Sequence, residues 1–152
     1  MLLSEAKDRC GAARVAVRGR GGLAAAWAEI EPVIEKLACI EGRTAELAEL
    51  YASIASTLRD LGDGRTEEMI VRAIALEASV VPERPVVLGT HQLFYARWLL
   101  DQRRWAEAER CALQGVETYA RGAAKGPELA RVRQNVARMV MTATAARAHA
   151  RE

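Results

Sequence analysis

The residues that most often carry out chemistry in proteins are few in this sequence of 152 residues. Its two histidines, His91 and His149, have no cysteine or carboxylate at the spacing of a zinc site, and no Glu-x-x-His pair of a di-iron bundle is present. His91 falls on an apolar helical stripe, which favours a packed or groove-lining histidine over a catalytic base. No set of nucleophile, base and orienting group can be assembled from these residues.

Two other patterns have ordinary structural explanations. The run Gly19-Arg20-Gly21-Gly22 is rich in glycine, but no strand precedes it and no Gly-Lys-Ser/Thr follows, so it indicates a turn between helices and not a phosphate-binding loop. The carboxylates of Glu31 and Glu35 share one helix face, as solvated surface pairs commonly do. The sequence therefore predicts no enzyme activity, no cofactor and no metal site.

Cys10, Cys39 and Cys111 are odd in number, far apart and without CxxC spacing. Each falls on or beside an apolar helical stripe, which predicts buried, unbridged thiols in a reducing compartment. The first residues contain no apolar run of the kind found in a signal peptide. No segment approaches the roughly 18 consecutive apolar residues of a membrane span. These features predict a cytoplasmic location.

The net charge of +2 is unevenly distributed along the chain. Residues 1–22 carry five basic and two acidic groups, residues 23–75 carry five and ten, and residues 76–152 carry twelve and eight. The acidic middle and basic ends could orient a partner or a second copy of the chain. Chance variation among solvated helix faces is the alternative explanation.

Helical periodicity is the main signal for the elements that position these residues. It predicts an all-α fold of seven helices, at about 3–17, 23–37, 44–61, 66–80, 87–99, 105–119 and 129–143. Pro32 lies inside the second segment, and one continuous helix is predicted there because the apolar stripe continues in phase across it. Thr44 is expected as an N-cap, and Thr66 with its two following glutamates as a helix start. The short connections predict antiparallel neighbours.

The segments repeat at about 40 residues. Trp27-Ala28-Glu29-Ile30-Glu31 matches Trp105-Ala106-Glu107-Ala108-Glu109 at a separation of 78, which is two periods of 39. Ala55, Ala96 and Ala137 are spaced by 41 and are expected to hold equivalent packing positions. We predict a single domain, residues 1–152, with helix pairs at about 2–42, 43–81 and 84–122 and a capping helix at about 127–149. The polar outer face of that last helix would be provided by Arg131, Arg133, Arg138 and Arg147.

The stretch from Tyr95 to Glu109 resembles a tetratricopeptide repeat, of the longer kind found in kinesin light chains. That family has small residues where Ala96 and Ala108 stand and an aromatic at the turn where Trp105 stands. This sequence departs from the pattern because Arg103 replaces the turn glycine and because the middle repeat aligns only with a one-residue slip around Gly64. The resemblance implies a right-handed α-solenoid of about three helix–turn–helix repeats plus a C-terminal capping helix. A generic helical bundle is the alternative.

The same resemblance implies a concave groove lined by the first helix of each pair. The candidate peptide-binding residues on that surface are Arg59, Phe94, Arg97, Arg131, Gln134, Asn135 and Arg138. Arginine pairs with carboxylates through two parallel hydrogen bonds, and amide side chains can hold a peptide backbone. The expected function is a protein–protein interaction scaffold that binds a peptide segment, acidic or carboxylate-bearing. Ordinary solvated arginines are the competing explanation, since the chain uses arginine in preference to lysine throughout.

Two functions of other classes are also considered. Nucleic-acid binding through the basic ends is disfavoured by the acidic middle and by only seven aromatic residues, most of them at core spacing. A self-associating structural part of a larger regulator, with homo-oligomers of this chain, is the second alternative.

Overall fold

A computed structural model describes residues 22–40, 42–123 and 126–151 of the chain. Within these ranges the chain forms six α-helices and no strand, which confirms the all-α class. The helices are α1 (Gly22–Ala38), α2 (Thr44–Asp60), α3 (Thr66–Ala78), α4 (Pro85–Asp101), α5 (Trp105–Gly122) and α6 (Pro127–His149). The helix predicted at about 3–17 lies outside the described residues.

The contacts between helices divide the chain into two compact units. The N-terminal unit ends at Val80 and contains α1, α2 and α3, whereas the C-terminal unit begins at Val81 and contains α4, α5 and α6. In the N-terminal unit α2 packs against both of its neighbours. The guanidinium of Arg72, at the middle of α3, lies 5.8 Å from the ring centroid of Tyr51, near the middle of α2. This contact shows that the two helices pack side by side at their centres.

The helix boundaries follow local chemistry closely. One continuous helix, α1, includes Pro32, as the unbroken apolar stripe predicts. Ile30 and Val33, on either side of it, are both buried. The N-cap predicted at Thr44 is wrong by one position, because Arg43 holds that place and makes no side-chain capping hydrogen bond. Helix ends commonly vary by one residue in this way.

The buried positions of α2 recur in α4 at a spacing of 41 residues. Ala55 and Ala96 are both fully buried, and their separation is 96 − 55 = 41. His91 is buried at the place where α2 has Leu50, so it has the packing position predicted for it. Six buried residues of α4 each follow a buried residue of α2 by this spacing; they are Gly89, His91, Gln92, Ala96, Trp98 and Leu99. The repeat is therefore present in the packing of the helices as well as in the sequence.

The turns after α2 and α4 have the same hydrogen bonds. The backbone N–H of Gly62 donates to Arg59 O at 3.0 Å, and that of Asp63 donates to Leu58 O at 2.9 Å. In the second turn the N–H of Arg103 donates to Leu100 O and that of Arg104 to Leu99 O, both at 3.0 Å. Each pair of bonds is a Schellman motif, in which one residue takes a left-handed backbone conformation. That residue is Gly62, with φ 67°, in the first turn and Arg103, with φ 58°, in the second.

The two connections differ in length beyond this shared turn. Residues 61–65 join α2 to α3, whereas residues 102–104 join α4 to α5. The predicted one-residue slip around Gly64 is therefore a difference of two residues. The additional residues are held locally, because Asp63 accepts hydrogen bonds from the backbone N–H of Arg65 at 2.9 Å and from its Nε at 3.0 Å. The side-chain hydrogen bond from Arg65 lowers the pKa of the Asp63 carboxyl below its ordinary value.

In the C-terminal unit α4 and α5 are antiparallel and their backbones approach closely at three glycines. A Cβ atom on Gly89 would lie 2.7 Å from the backbone nitrogen of Tyr119. One on Gly122 would lie 2.9 Å from Val86 Cγ2, and one on Gly115 would lie 2.9 Å from the side chain of Leu93. Cβ contacts under 3.0 Å essentially do not occur, so the observed helix spacing requires glycine at position 89, where the clashing atoms include backbone. At Gly115 and Gly122 the atoms within 3.0 Å belong to side chains, which would have to shift.

The core of this unit forms where α6 joins the α4–α5 pair. Ala96 and Ala112 cluster with Val136 and Met139, so Val136 and not Ala137 packs beside Ala96. Ala137 is exposed, and its predicted equivalence to Ala96 is wrong because no helix among the described residues covers that side of α6. A second cluster of buried residues contains Trp98, Leu99 and Ala108.

Arg147 on α6 makes an ion pair with Glu109 on α5, in a contact between the last turns of one helix and the first turns of the other. α5 and α6 are therefore antiparallel. The pair also means that Arg147 does not belong to the solvated outer face of α6, where the sequence placed it. Arg131, Arg133 and Arg138 are exposed, as expected for that face.

The cysteines differ from the predicted pattern. Cys39 is exposed, so its predicted burial is wrong, although both described cysteines are unbridged as expected. Cys111 is half-buried, and its Sγ donates a hydrogen bond to Gln92 O at 3.2 Å. Burial raises the pKa of the Cys111 thiol from 9.0 to about 11. Cys10 lies outside the described residues.

Candidate functional site

The most distinctive charged surface of the C-terminal unit lies where α4 and α6 meet. The two helices contact each other, and both pack on α5 through the cluster around Ala96 and Val136. We call this surface the α4–α6 face and define it by four residues, which are Phe94, Arg97, Asn135 and Arg138. These are four of the seven residues that the sequence assigned to a peptide-binding groove.

Helical geometry places Arg97 at the edge of α4 next to α6. Leu93 and Leu100, four residues before it and three after it, pack against the cluster that includes Val136. Residues at these spacings share one side of a helix, so Arg97 lies beside that contact. Its side chain is exposed. Phe94, one turn earlier on α4, is half-buried.

Four of the candidate residues lie on α6, at different angles around the helix from its contact with α4. Asn135 is next to Val136 and is half-buried. Arg138 precedes the buried Met139 and is exposed, on the side of α6 that is turned away from α5. Arg131 is exposed on the same side, two turns earlier. Gln134 is also exposed but lies furthest round the helix from α4.

The charges of the arginines on this surface are balanced to different degrees. Arg131 Nη2 lies 3.0 Å from Glu128 Oε2 and 3.2 Å from its Oε1, so a carboxylate one turn earlier already neutralises it. Arg97 and Arg138 make no ion pair within the part of the chain that the structure describes. Their guanidinium groups therefore leave uncompensated positive charge on the α4–α6 face.

Elsewhere the chain pairs many of its arginines with nearby carboxylates. Arg72 Nη2 lies 2.6 Å from Glu68 Oε1, and Arg104 Nη2 lies 2.6 Å from Glu107 Oε2. The side-chain hydrogen bond from Arg104 lowers the pKa of the Glu107 carboxyl. Because most of these pairs are three or four residues apart on one helix, they stabilise the helices locally. The α4–α6 face differs in offering cationic groups without such partners.

Arg59, the seventh residue assigned from the sequence, belongs to the N-terminal unit. It lies in the last turn of α2, where it is half-buried and where its carbonyl oxygen accepts the N–H of Gly62. The structure thus groups six of the assigned residues in the C-terminal unit and places Arg59 in the other.

A shallow hollow between α5 and α6 was not indicated by the sequence patterns. It has a volume of about 410 Å³ and is lined by Val116, Glu117, Ala120, Arg121 and Arg133. Its one signal in the sequence is the pair Glu117 and Arg121, four residues apart beside small apolar residues. The close helix contacts at Gly115 and Gly122 also went unnoticed, although their seven-residue spacing puts both on one face of α5.

Two features are absent from the described ranges, a group of metal ligands and a membrane-spanning helix. No group of three or more histidine, cysteine, aspartate or glutamate side chains is positioned there to hold a metal ion. Among the helices of these ranges, none combines the length and apolarity that crossing a membrane requires. Comparison of the whole chain with protein-family models, curated proteins and solved structures found no match.

Proposed function

We propose that this protein is a non-catalytic, tetratricopeptide-like scaffold whose α4–α6 face binds a peptide segment that is acidic or carries a free carboxylate. In this proposal its helix pairs are repeats of an α-solenoid, and α6 is the capping helix. The observation that carries the proposal is the pair of exposed guanidinium groups of Arg97 and Arg138, on two helices that contact each other and without ion-pair partners among the described residues.

The repeated packing supports the tetratricopeptide-like organisation. Buried positions recur at 41 residues between α2 and α4, and both helices end in the same Schellman turn. Arg103 has the left-handed backbone conformation at the position where tetratricopeptide repeats have glycine. These are the features expected when one helix pair is a copy of another.

The side chains of the face suit a peptide ligand. Arginine can hold a carboxylate with two parallel hydrogen bonds, which gives geometric specificity as well as attraction. The amide of Asn135 carries both a donor and an acceptor, as a peptide backbone requires. The half-buried ring of Phe94 adds an apolar surface beside Arg97. Together these groups offer charge, polar and apolar contacts within a short stretch of surface.

The test uses fluorescently labelled peptides and binding measured by anisotropy. An acidic peptide with a free C-terminal carboxylate is compared with a matched peptide in which glutamines replace its glutamates and the C-terminus is amidated. We expect the acidic peptide to bind more tightly and its affinity to fall with added salt. The Arg97→Glu and Arg138→Glu variants should each weaken this binding by about tenfold.

The control is Arg110→Glu, which reverses an exposed arginine on α5 outside the α4–α6 face. It should bind the acidic peptide as the unmodified chain does. If Arg110→Glu weakens binding as much as Arg97→Glu, the attraction comes from overall charge and the assignment of the face is wrong. Tighter binding of single-stranded oligonucleotides than of any peptide would instead indicate a nucleic-acid-binding protein.

A further inference from the structure

The contact between α5 and α6 is bordered by apolar residues that stay open to solvent. Leu113 on α5 lies four residues after Glu109, which pairs with Arg147 of α6, and three residues before Val116, which lines the hollow between the two helices. Residues at these spacings share one side of a helix, so Leu113 lies along the same contact. It is nevertheless 49% exposed. Apolar groups that adjoin one another on a surface mark binding sites more often than scattered ones do.

These apolar residues continue from Leu113 into the hollow itself. Val116 and Ala120 are half-buried on α5, and Ala137 is exposed on α6, one turn after Arg133. We call this surface the α5–α6 groove and define it by six residues, which are Leu113, Val116, Ala120, Arg121, Arg133 and Ala137. Its ends on α5 are separated by 121 − 113 = 8 residues, which makes the groove about 12 Å long.

One end of the groove is positively charged. Arg121, in the last turn of α5, and Arg133, on α6, both line the hollow. Neither arginine makes an ion pair with another residue in the described ranges. Glu117 also lines the hollow and can neutralise only one of them, so one positive charge remains. The opposite end carries no free charge, because Glu109 and Arg147 pair with each other there.

From this arrangement we infer that the α5–α6 groove binds a small amphipathic molecule with one carboxylate and a linear apolar tail. The carboxylate pairs with Arg133 at the charged end, and the tail lies over Val116 and Ala120 toward Leu113. One negative charge balances the net charge of the hollow, and the guanidinium fork matches a carboxylate. The volume of about 410 Å³ falls within the usual range of small-molecule sites, roughly 300–1,000 Å³.

Nuclear magnetic resonance titration of the isotope-labelled, full-length chain tests this inference. Octanoate is the probe. Octanol has the same tail without the charge, and butyrate has the same charge with a shorter tail, so these two are the comparisons. Because the hollow is shallow, we expect octanoate to bind with a dissociation constant of about 1 mM and to shift the amide signals of the groove residues. Octanol and butyrate should each bind at least about fivefold more weakly.

Single substitutions separate recognition of the charge from recognition of the tail. Arg133→Gln should weaken octanoate binding about fivefold and leave octanol binding unchanged, because it removes only the partner of the carboxylate. Leu113→Gln should weaken the binding of both molecules by about threefold, since it removes apolar contact. Glu117→Gln should tighten octanoate binding by about twofold, because it removes a competing carboxylate. The control is Arg97→Gln, which changes an exposed arginine of the α4–α6 face and should bind octanoate as the parent does.

Four outcomes would overturn the inference. The first is a lack of amide shifts on α5 and α6 up to about 10 mM octanoate, and the second is equal binding of octanoate and octanol. The third is an Arg97→Gln variant that loses as much octanoate affinity as Arg133→Gln, which would assign the carboxylate to the α4–α6 face. The fourth is displacement of octanoate by the acidic peptide, which would make the groove a peptide site. The inference and the proposed peptide binding can fail separately, because no residue of the groove belongs to the α4–α6 face.

Discussion

Gly62 and Arg103 occupy equivalent positions in two turns and share a left-handed backbone, although one is glycine and the other is not. Their separation is 103 − 62 = 41, the same spacing as that of the buried alanines Ala55 and Ala96. Glycine adopts this conformation without steric cost, whereas a side chain at the position clashes with its own backbone. The second turn therefore contains local strain that the first avoids.

Replacing Arg103 by glycine should stabilise the protein. The substitution removes about 1–2 kcal/mol of backbone strain but adds flexibility to the unfolded chain, which gives a net gain of about 0.5–1 kcal/mol. Little is lost in return, because the Arg103 side chain is exposed and makes no hydrogen bond or ion pair with any described residue. Urea unfolding followed by far-UV circular dichroism measures the change. A lower midpoint for Arg103→Gly would contradict the prediction.

The reciprocal substitution, Gly62→Ala, should destabilise the protein by about 1 kcal/mol. A Cβ at Gly62 meets nothing within 4 Å, so the cost comes from the φ of 67° and not from a clash. Gly64→Ala is a matched control in the same connection, since its Cβ also meets nothing within 4 Å. Its φ lies outside the left-handed region, so its stability should change by less than about 0.5 kcal/mol. If Gly62→Ala and Gly64→Ala lower the free energy of unfolding equally, the left-handed φ at position 62 is not the cause of the loss.

Gly89→Ala should be far more costly than either of these changes. The new methyl group would lie 2.7 Å from the Tyr119 nitrogen and 2.9 Å from Gly115 O, both backbone atoms that cannot rotate away. Forcing α4 and α5 apart should cost about 3 kcal/mol, at the upper end of overpacking effects. Thermal unfolding compared with Gly64→Ala tests this. A melting temperature for Gly89→Ala equal to that of Gly64→Ala would show that the helices do not approach as closely as described.

The two tryptophans of the α4–α5 pair should differ in their contribution to stability. Trp98 is buried, packs with Leu99 and Ala108, and has the Arg104 guanidinium 5.8 Å from the centroid of its ring. Trp98→Ala should therefore cost about 3–5 kcal/mol as a core truncation. Trp105 is half-buried, so Trp105→Ala should cost only about 1–2 kcal/mol. Chemical denaturation of both variants measures the order, and a larger loss for Trp105→Ala would contradict the packing.

Ionisation of Cys111 should make stability fall at high pH. Its folded pKa of about 11 lies above the ordinary value of 9.0, so the folded chain retains a proton that the unfolded chain loses. The stabilisation is fully present below pH 9 and is lost as pH rises through about 11. Unfolding of the parent and of Cys111→Val at pH 8 and near pH 10.5 should show a smaller decline for the variant. If stability falls equally with pH in the parent and in Cys111→Val, ionisation of Cys111 is not the cause.

Much of the fold could be predicted because it depends on local patterns. The apolar stripes located the described helices, and the short connections predicted between them include the turn that contains Gly62. The spacing of Ala55 and Ala96 revealed the repeat because both alanines pack in the same way within their units. These features follow from periodicity and turn chemistry, which a single sequence records directly.

The errors arise where a residue's environment depends on distant parts of the chain. Ala137 has the spacing of a packing alanine but is exposed, because whether another helix covers it cannot be read from its own helix. Arg147 looked like a solvated arginine, yet Glu109, 38 residues earlier, pairs with it. The deeper burial of Trp98 compared with Trp105 likewise depends on how α4 and α5 meet. Of the candidate site, helical phase could place Arg97 and Arg138. The ion pair of Arg131 with Glu128, three residues earlier on the same helix, also follows from helical spacing, although it was not predicted.

The longer connection between α2 and α3 has a practical consequence for engineering. The Schellman turn is complete by Asp63, and the additional residues, up to Arg65, follow it before α3 begins at Thr66. Natural variation in length is thus already accommodated at this spot. A reporter sequence, such as an epitope or a small fluorescent domain, would be better inserted beside Gly64 than in the tight joint that precedes Trp105.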